Sequence, residues 1–178
     1  MTNYAVFLRG INVGGINIKM ADLRVALAAL PLRNVKTLLA SGNVACAADA
    51  TAAELKSLVE DCLRETFGYD AWVVVLAEAP LAAIIDACPY PADDKSTHSY
   101  ITLSSDTAAL DELDQLGTEL AGTELARLAP EALAWLAPAG GTLDSPFSKL
   151  TNKAKYKSTT TTRNLRTMLK VRDALRAV

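Results

Sequence analysis

Apolar residues in the first half of the chain follow two different periods, and their order predicts the fold. Short aromatic and branched runs predict strands, whereas apolar residues recurring every three to four positions predict helices. The expected elements are a strand at Tyr4–Arg9, a helix at Lys19–Leu30, strands at Val35–Ala40 and Val44–Ala47, a helix from Thr51 to Gly68 and a strand at Ala71–Ala77. This βαββαβ order is that of the ferredoxin-like fold.

The helix that follows Thr51 has the clearest end signals. Thr51 and Glu54 have the spacing of a capping box, in which each side chain satisfies a backbone N–H at the helix start. Gly68 suits the left-handed conformation that often ends a helix. Both ends of this helix are therefore predicted from local chemistry.

The second half has a looser pattern. The expected elements are a helix from Pro80 to Cys88, a strand at Ser99–Ser104, a helix at Thr107–Leu116 that ends before Gly117, strands at Glu124–Ala129 and Ala132–Ala137, and a helix at Asn164–Ala177. Their β-α-β-β start is compatible with a degenerate copy of the first half. We expect an α+β fold: a ferredoxin-like βαββαβ half (1–78) packed with a second, looser α+β half, itself a candidate ferredoxin-like unit, that ends in a basic C-terminal helix (79–178).

Composition indicates a cytoplasmic globular protein. The 178 residues are 51% hydrophobic, enough for a sizeable core. No apolar run approaches the ~20 residues that span a membrane, and the first residues lack the pattern of a secretory signal. The odd number of cysteines, without C-x-x-C spacing, favours reduced thiols over a disulfide framework, and no spacing suggests a metal site.

Charge is unevenly distributed along the chain. Residues 145–178 contain nine lysines and arginines and one acidic residue, although the whole chain has a net charge of −2. Such a basic segment on an acidic body suggests an anionic partner, or else a tail that docks on its own acidic body.

Two loops of the first half are expected to meet. In an antiparallel ferredoxin-like sheet, the loop after the first strand and the turn between the second and third strands lie at the same end. "RGINVGG" (Arg9–Gly15) and "SGN" (Ser41–Asn43) would then form one rim, which the "FGYD" loop (Phe67–Asp70) joins. Glycines allow a ligand to approach the backbone, and binding residues concentrate on loops that a rigid scaffold holds. The simpler interpretation of each loop is a tight turn.

A third candidate segment is "TTTTRN" (Thr159–Asn164), which precedes the amphipathic last helix. Thr161 or Thr162 could cap that helix, whose N-terminus would attract an anion. Arg163 adds a planar fork that suits phosphate or carboxylate. The candidate ligand-binding residues of the three segments are Arg9, Asn12, Gly14, Gly15, Asn17, Lys19, Ser41, Asn43, Thr162, Arg163 and Asn164.

Four separated motifs resemble a known family. "FLRGINVGG", then "KM" and "LR" on the following helix, "SGNV" and "TTRN" together resemble the bacterial proteins of domain of unknown function 1697. The resemblance extends from Phe7 to the last helix and implies a compact α+β protein with ferredoxin-like halves. It implies no activity. Leu165 stands after "TTRN", where the resemblance leads us to expect an aromatic residue.

The sequence leaves three functions open, and it identifies neither a catalytic residue nor a cofactor. The single histidine, His98, is expected at a strand start away from the rim, as a surface or strand-end residue. The first hypothesis is binding of a small anionic ligand, such as a nucleotide or phosphate ester, at a rim formed by the RGINVGG, SGN and TTTTRN segments, with an attached reaction left open. The second is nucleic-acid binding through the basic C-terminal segment. The third is a non-enzymatic protein-interaction module.

Overall fold

The structure, a computed structural model, describes residues 1–13 and 15–178. The strands are β1 (Thr2–Leu8), β2 (Leu32–Leu38), β3 (Asn43–Ala48), β4 (Val73–Ala77), β5 (Thr97–Ser104), β6 (Leu125–Ala129), β7 (Ala132–Pro138) and β8 (Thr160–Asn164). The helices are α1 (Met20–Leu27), α2 (Ala52–Phe67), α3 (Glu78–Ala87), α4 (Thr107–Thr118), α5 (Pro146–Thr151) and α6 (Leu165–Leu175), with a 3-10 turn at Ala154–Tyr156.

These elements form two compact units. The first comprises Met1–Ala82 together with Lys170–Val178, and the second comprises Ala83–Leu169. The division expected from the sequence, at residue 78, differs mainly in that it leaves the last nine residues out of the first unit.

The first unit is a four-stranded antiparallel sheet with two crossover helices. β1 lies between β3 and β4, and β2 is the edge strand beside β3. Side chains alternate across a strand, so Tyr4, Val6 and Leu8 share one face of β1. They are buried in one cluster with apolar residues of α1 and α2. The order β2-β3-β1-β4 confirms the βαββαβ arrangement that the sequence predicts.

Both predicted ends of α2 are confirmed. Thr51 Oγ1 accepts a hydrogen bond from the Glu54 N–H at 3.2 Å, and Glu54 Oε2 accepts one from the Thr51 N–H at 2.7 Å. Gly68 adopts the left-handed conformation, with φ of 67°. The helix thus begins and ends where its local chemistry predicts.

The second unit repeats the topology of the first. Its antiparallel sheet has the order β6-β7-β5-β8, and the chain order is β5-α4-β6-β7-α5-β8. The sequence-based expectation missed two of these elements. α5 has only 6 residues, too few for a clear period, although Ser145 caps it and Pro146 begins it. β8 consists mostly of threonines, which local pattern alone does not distinguish from a capping segment.

Backbone hydrogen bonds at one end of each sheet also repeat. In both units, two successive N–H groups at the end of the first strand donate to the hairpin between the second and third strands and to the segment before the fourth strand. The bonds are Leu8 N–H to Gly42 O (2.9 Å) and Arg9 N–H to Trp72 O (3.0 Å) in the first unit, and Ser104 N–H to Glu131 O (2.9 Å) and Ser105 N–H to Thr159 O (2.8 Å) in the second. The two units are therefore structural copies at this end, as the β-α-β-β pattern suggested.

Gly117 lies within α4 and does not end it, so the expected helix end at Leu116 is wrong. α4 continues to Thr118, and Gly117 is buried. A Cβ atom on Gly117 would lie 2.6 Å from Leu125 Cδ1 and 2.6 Å from Phe147 Cε2. The glycine allows β6 and α5 to approach α4 closely.

We expect Gly117→Ala to lower the free energy of unfolding by about 1–3 kcal/mol, because the added methyl group overpacks this contact. In an open helix interior, the same change would raise it by about 1 kcal/mol. Urea unfolding measures the difference. Gln115→Ala, at an exposed position of the same helix, is the control and should change the free energy of unfolding by less than about 0.5 kcal/mol. A stabilised Gly117→Ala variant would contradict the close contact.

Candidate functional site

Three loops of the first unit meet at one end of its sheet, as its topology requires. We call this end the rim; it comprises the long loop Arg9–Lys19, the hairpin loop Leu39–Gly42 and the segment Gly68–Trp72. The Leu8 N–H, at the end of β1, donates to Gly42 O, the Arg9 N–H donates to Trp72 O, and Ile11 packs against Gly42. The predicted meeting of "RGINVGG" with "SGN" is therefore present in the structure.

Asn12 fixes the shape of the long loop. Its Nδ2 donates to Ile18 O at 3.0 Å and to Ala40 O at 2.7 Å, while its Oδ1 accepts from the Ile18 N–H at 3.0 Å. The Asn12 N–H also donates to Ile16 O at 2.6 Å. Asn12 has a φ of 57°, a left-handed conformation that asparagine tolerates better than most residues. One side chain thus closes the loop on itself and attaches it to the hairpin.

Packing between Ile11 and Gly42 secures the same junction. Ile11 and Ile18, both in the long loop, are buried in the core of the first unit. A Cβ atom on Gly42 would lie 2.5 Å from Ile11 Cδ1 and 2.9 Å from Leu8 Cβ, and its φ is 81°. Both the contact and the backbone angle require glycine at this position.

The predicted site residues of the first unit divide into accessible and structural groups. The accessible residues are Gly15, Asn17, Lys19 and Ser41. Arg9 is half-buried, and burial lowers the pKa of its guanidinium. Asn12 and Asn43 serve the scaffold instead; buried Asn43 donates through Nδ2 to Leu38 O and Ser41 Oγ. Gly14 lies outside the described residues.

The predicted helix N-terminus at "TTTTRN" is wrong. Thr160–Asn164 forms β8, which pairs with β5, and α6 begins at Leu165. Neither Thr161 nor Thr162 is its cap; instead, Asn164 Oδ1 accepts from the Arg166 N–H at 2.9 Å. The segment belongs to the second unit.

Side chains of β8 take part in the second sheet. Thr162 Oγ1 lies 2.8 Å from Thr102 Oγ1, which also accepts a hydrogen bond from Trp135 Nε1 at 3.0 Å. Buried Arg163 donates through Nη1 to Thr161 Oγ1 at 2.7 Å and to Thr162 O at 2.9 Å. The helix N-terminus that motivated Thr162 and Asn164 as anion ligands is thus not formed at these residues, and Arg163, predicted for its planar fork, is buried.

Among the rim residues absent from the sequence-based candidates are Trp72, Val13 and Leu39. Trp72 is half-buried, and its carbonyl accepts the Arg9 N–H. Val13 and Leu39 are exposed at 75% and 41%, and Leu39 has a φ of 59°. The topology that joins the FGYD loop to the rim could have indicated Trp72. The backbone angle of Leu39 has no signal in the sequence.

The described residues hold no group of three or more His, Cys, Asp or Glu residues that could bind a metal ion. Burial raises the pKa of the Cys46 thiol to about 11, which makes it a poor nucleophile near neutral pH. The ring of half-buried His98 lies against Tyr100, with Nδ1 3.5 Å from the hydroxyl. No described helix has the length and apolar character to cross a membrane.

Replacing Asn12 with alanine should open the rim. We expect Asn12→Ala to lower the free energy of unfolding by about 2 kcal/mol, because three hydrogen bonds are lost and alanine is strained at positive φ. Thermal or urea unfolding measures the change. Asn17→Ala, at an exposed position of the same loop, should stay within about 0.5 kcal/mol of the parent. Equal effects of the two substitutions would show that Asn12 does not hold the loop.

Comparisons with known proteins agree with this architecture. The conserved bacterial protein SP0830 from Streptococcus pneumoniae has a solved structure that is similar over 99% of both chains, with a TM-score of 0.82 and 22% sequence identity. At that identity, the similarity concerns the fold. No curated protein matches the chain. The model of the family DUF1697, proteins of unknown function, matches residues 1–133. Because this match covers well over half of the chain, the protein belongs to the DUF1697 family.

Proposed function

We propose that the rim of the first unit binds a small anionic ligand of the phosphate or nucleotide-like class. The observation that carries this proposal is a difference between the two copies of the scaffold. In the first unit, eleven residues, Arg9–Lys19, connect β1 with α1. In the second unit, two residues, Ser105 and Asp106, connect β5 with α4. The fold does not need the additional residues to join a strand to a helix, and compact surface loops of this length are frequently functional.

The long loop combines a fixed shape with an open side. Asn12 and Ile11 hold its inner side against the hairpin and the core. Cβ atoms added at Gly10 and Gly15 would meet nothing within 4 Å. A ligand could therefore approach the backbone at both glycines without moving the loop. Preformed sites avoid the entropic cost of ordering a loop on binding.

The two cations of the long loop favour an anion, against one exposed acidic residue, Asp70, elsewhere in the rim. Lys19 is exposed at the end of the long loop, and Arg9 is half-buried at its start. Burial lowers the pKa of Arg9, yet an arginine remains protonated in proteins. Its planar fork suits phosphate oxygens.

Nucleic-acid binding by the basic C-terminal segment remains a second candidate, supported by a cluster of lysines in the second unit. Lys149, Lys153 and Lys157 are exposed on α5 and around the 3-10 turn. Lys155 in the same stretch forms an ion pair with Glu112, and Arg163 is buried. Three exposed lysines thus lie in one short segment, with exposed Arg166 further along the same unit, and an RNA or DNA strand bound there would dissociate steeply with salt.

Titration with inorganic phosphate and adenosine monophosphate, followed by thermal shift and calorimetry, tests the proposal. We expect saturable binding that weakens about tenfold or more in Arg9→Ala and in Lys19→Ala, because each removes a charged hydrogen-bond donor. Arg24→Ala removes an exposed cation of α1 and is the matched control; it should bind as the parent does.

Three other results would contradict the rim as the binding site. Equal affinity in the parent and the Arg9→Ala and Lys19→Ala variants would remove the rim as the site. Binding of oligonucleotides only, lost in Lys153→Ala/Lys157→Ala and in high salt, would favour the second candidate. No binding to any of these ligands would leave a protein-interaction module as the leading function.

A further inference from the structure

We infer that the ligand of the rim carries an apolar ring beside its anionic group, as a nucleotide does and inorganic phosphate does not. The inference rests on the proposed function and specifies its ligand. Its first support is the exposure of two apolar side chains on the rim. Val13 is 75% exposed in the long loop, and Leu39 is 41% exposed in the hairpin loop. Neither contributes a charge or hydrogen bond to anion binding.

Val13 and Leu39 flank the bond that joins two loops of the rim. The hydrogen bond from Asn12 Nδ2 to Ala40 O joins the two loops, and Val13 and Leu39 are the immediate neighbours of its two ends. The clamp therefore ties the backbone next to both residues to the same junction. Arg9 and Lys19 bound the same loop, so cationic and apolar groups occur together on the rim.

The backbone conformation of Leu39 indicates that its side chain has a role beyond forming the turn. At φ of 59°, a leucine is strained, whereas glycine or asparagine adopts this conformation readily. The hairpin already has a glycine at the other end of the same loop, at Gly42. A strained, partly exposed leucine is better explained by a contact that its side chain makes in the bound state.

The chemistry of these groups selects the ligand class. Phosphate oxygens would use the arginine, the lysine and the open backbone beside the glycines, and would leave Val13 and Leu39 in water. A nucleobase has flat, weakly polar faces that aliphatic side chains can cover. The Trp72 carbonyl accepts the Arg9 N–H, so a half-buried aromatic residue also belongs to the rim.

Three probes with the same phosphate group separate the inference from the proposed function: inorganic phosphate, ribose 5-phosphate and adenosine monophosphate. We expect adenosine monophosphate to bind about tenfold more tightly than ribose 5-phosphate, the gain that comes from covering roughly 50 Å² of apolar surface. In Leu39→Asn and Val13→Ser, this preference should fall to less than about threefold, and ribose 5-phosphate should bind as before. Val25→Ser is the matched control, because Val25 is 74% exposed on α1, outside the rim loops.

Stability measurements on the same variants distinguish a contact from a folding defect. Leu39→Asn relieves the strained backbone, so its melting temperature should be no lower than that of the parent. Equal binding of ribose 5-phosphate and adenosine monophosphate would overturn the inference and leave the proposed function standing. A preference that survives both substitutions would overturn it as well. Absence of binding to all three probes would overturn the proposed function and the inference together.

Discussion

The side-chain amide of Asn12 is the interaction on which the rim depends. It bonds the backbone N–H and carbonyl of Ile18 in its own loop and the carbonyl of Ala40 in the hairpin, and so joins two segments that are distant in sequence. Ile11 can then pack against Gly42, where a larger residue would not fit. Without this clamp, ligand binding would have to order the loop, and the lost conformational entropy would weaken binding. The clamp therefore preorganises the described part of the rim.

Repetition of the scaffold within one chain shows which parts of the rim are structural. Both units close the same end of the sheet with equivalent backbone bonds, so those bonds belong to the fold. Only the first unit extends the strand–helix connection into a long loop with cationic and apolar side chains. In the second unit, the connection consists of Ser105 and Asp106, and Asp106 caps α4. The two copies thus share a scaffold and differ in what they present at its end.

Elements with strong local signals were predictable, and those that depend on distant partners were not. The capping box of Thr51 and the left-handed Gly68 specify both ends of α2 without help from the rest of the chain. The threonines of β8 are equally suited to cap a helix, and only their pairing with β5 makes them a strand. The location of the rim followed from topology. The burial of Asn43 and the backbone angle of Leu39 did not, because neither has a signal in the local sequence.

The most direct test of the account is a titration of ¹⁵N-labelled protein with adenosine monophosphate, followed by amide chemical shifts. Saturable changes should concentrate at Gly10, Gly15 and Ser41, where the backbone of the rim is accessible. They should share one dissociation constant, as expected for a single site. Changes confined to residues 149–157 of the second unit, or no saturable change anywhere, would contradict the assignment of the rim as the binding site.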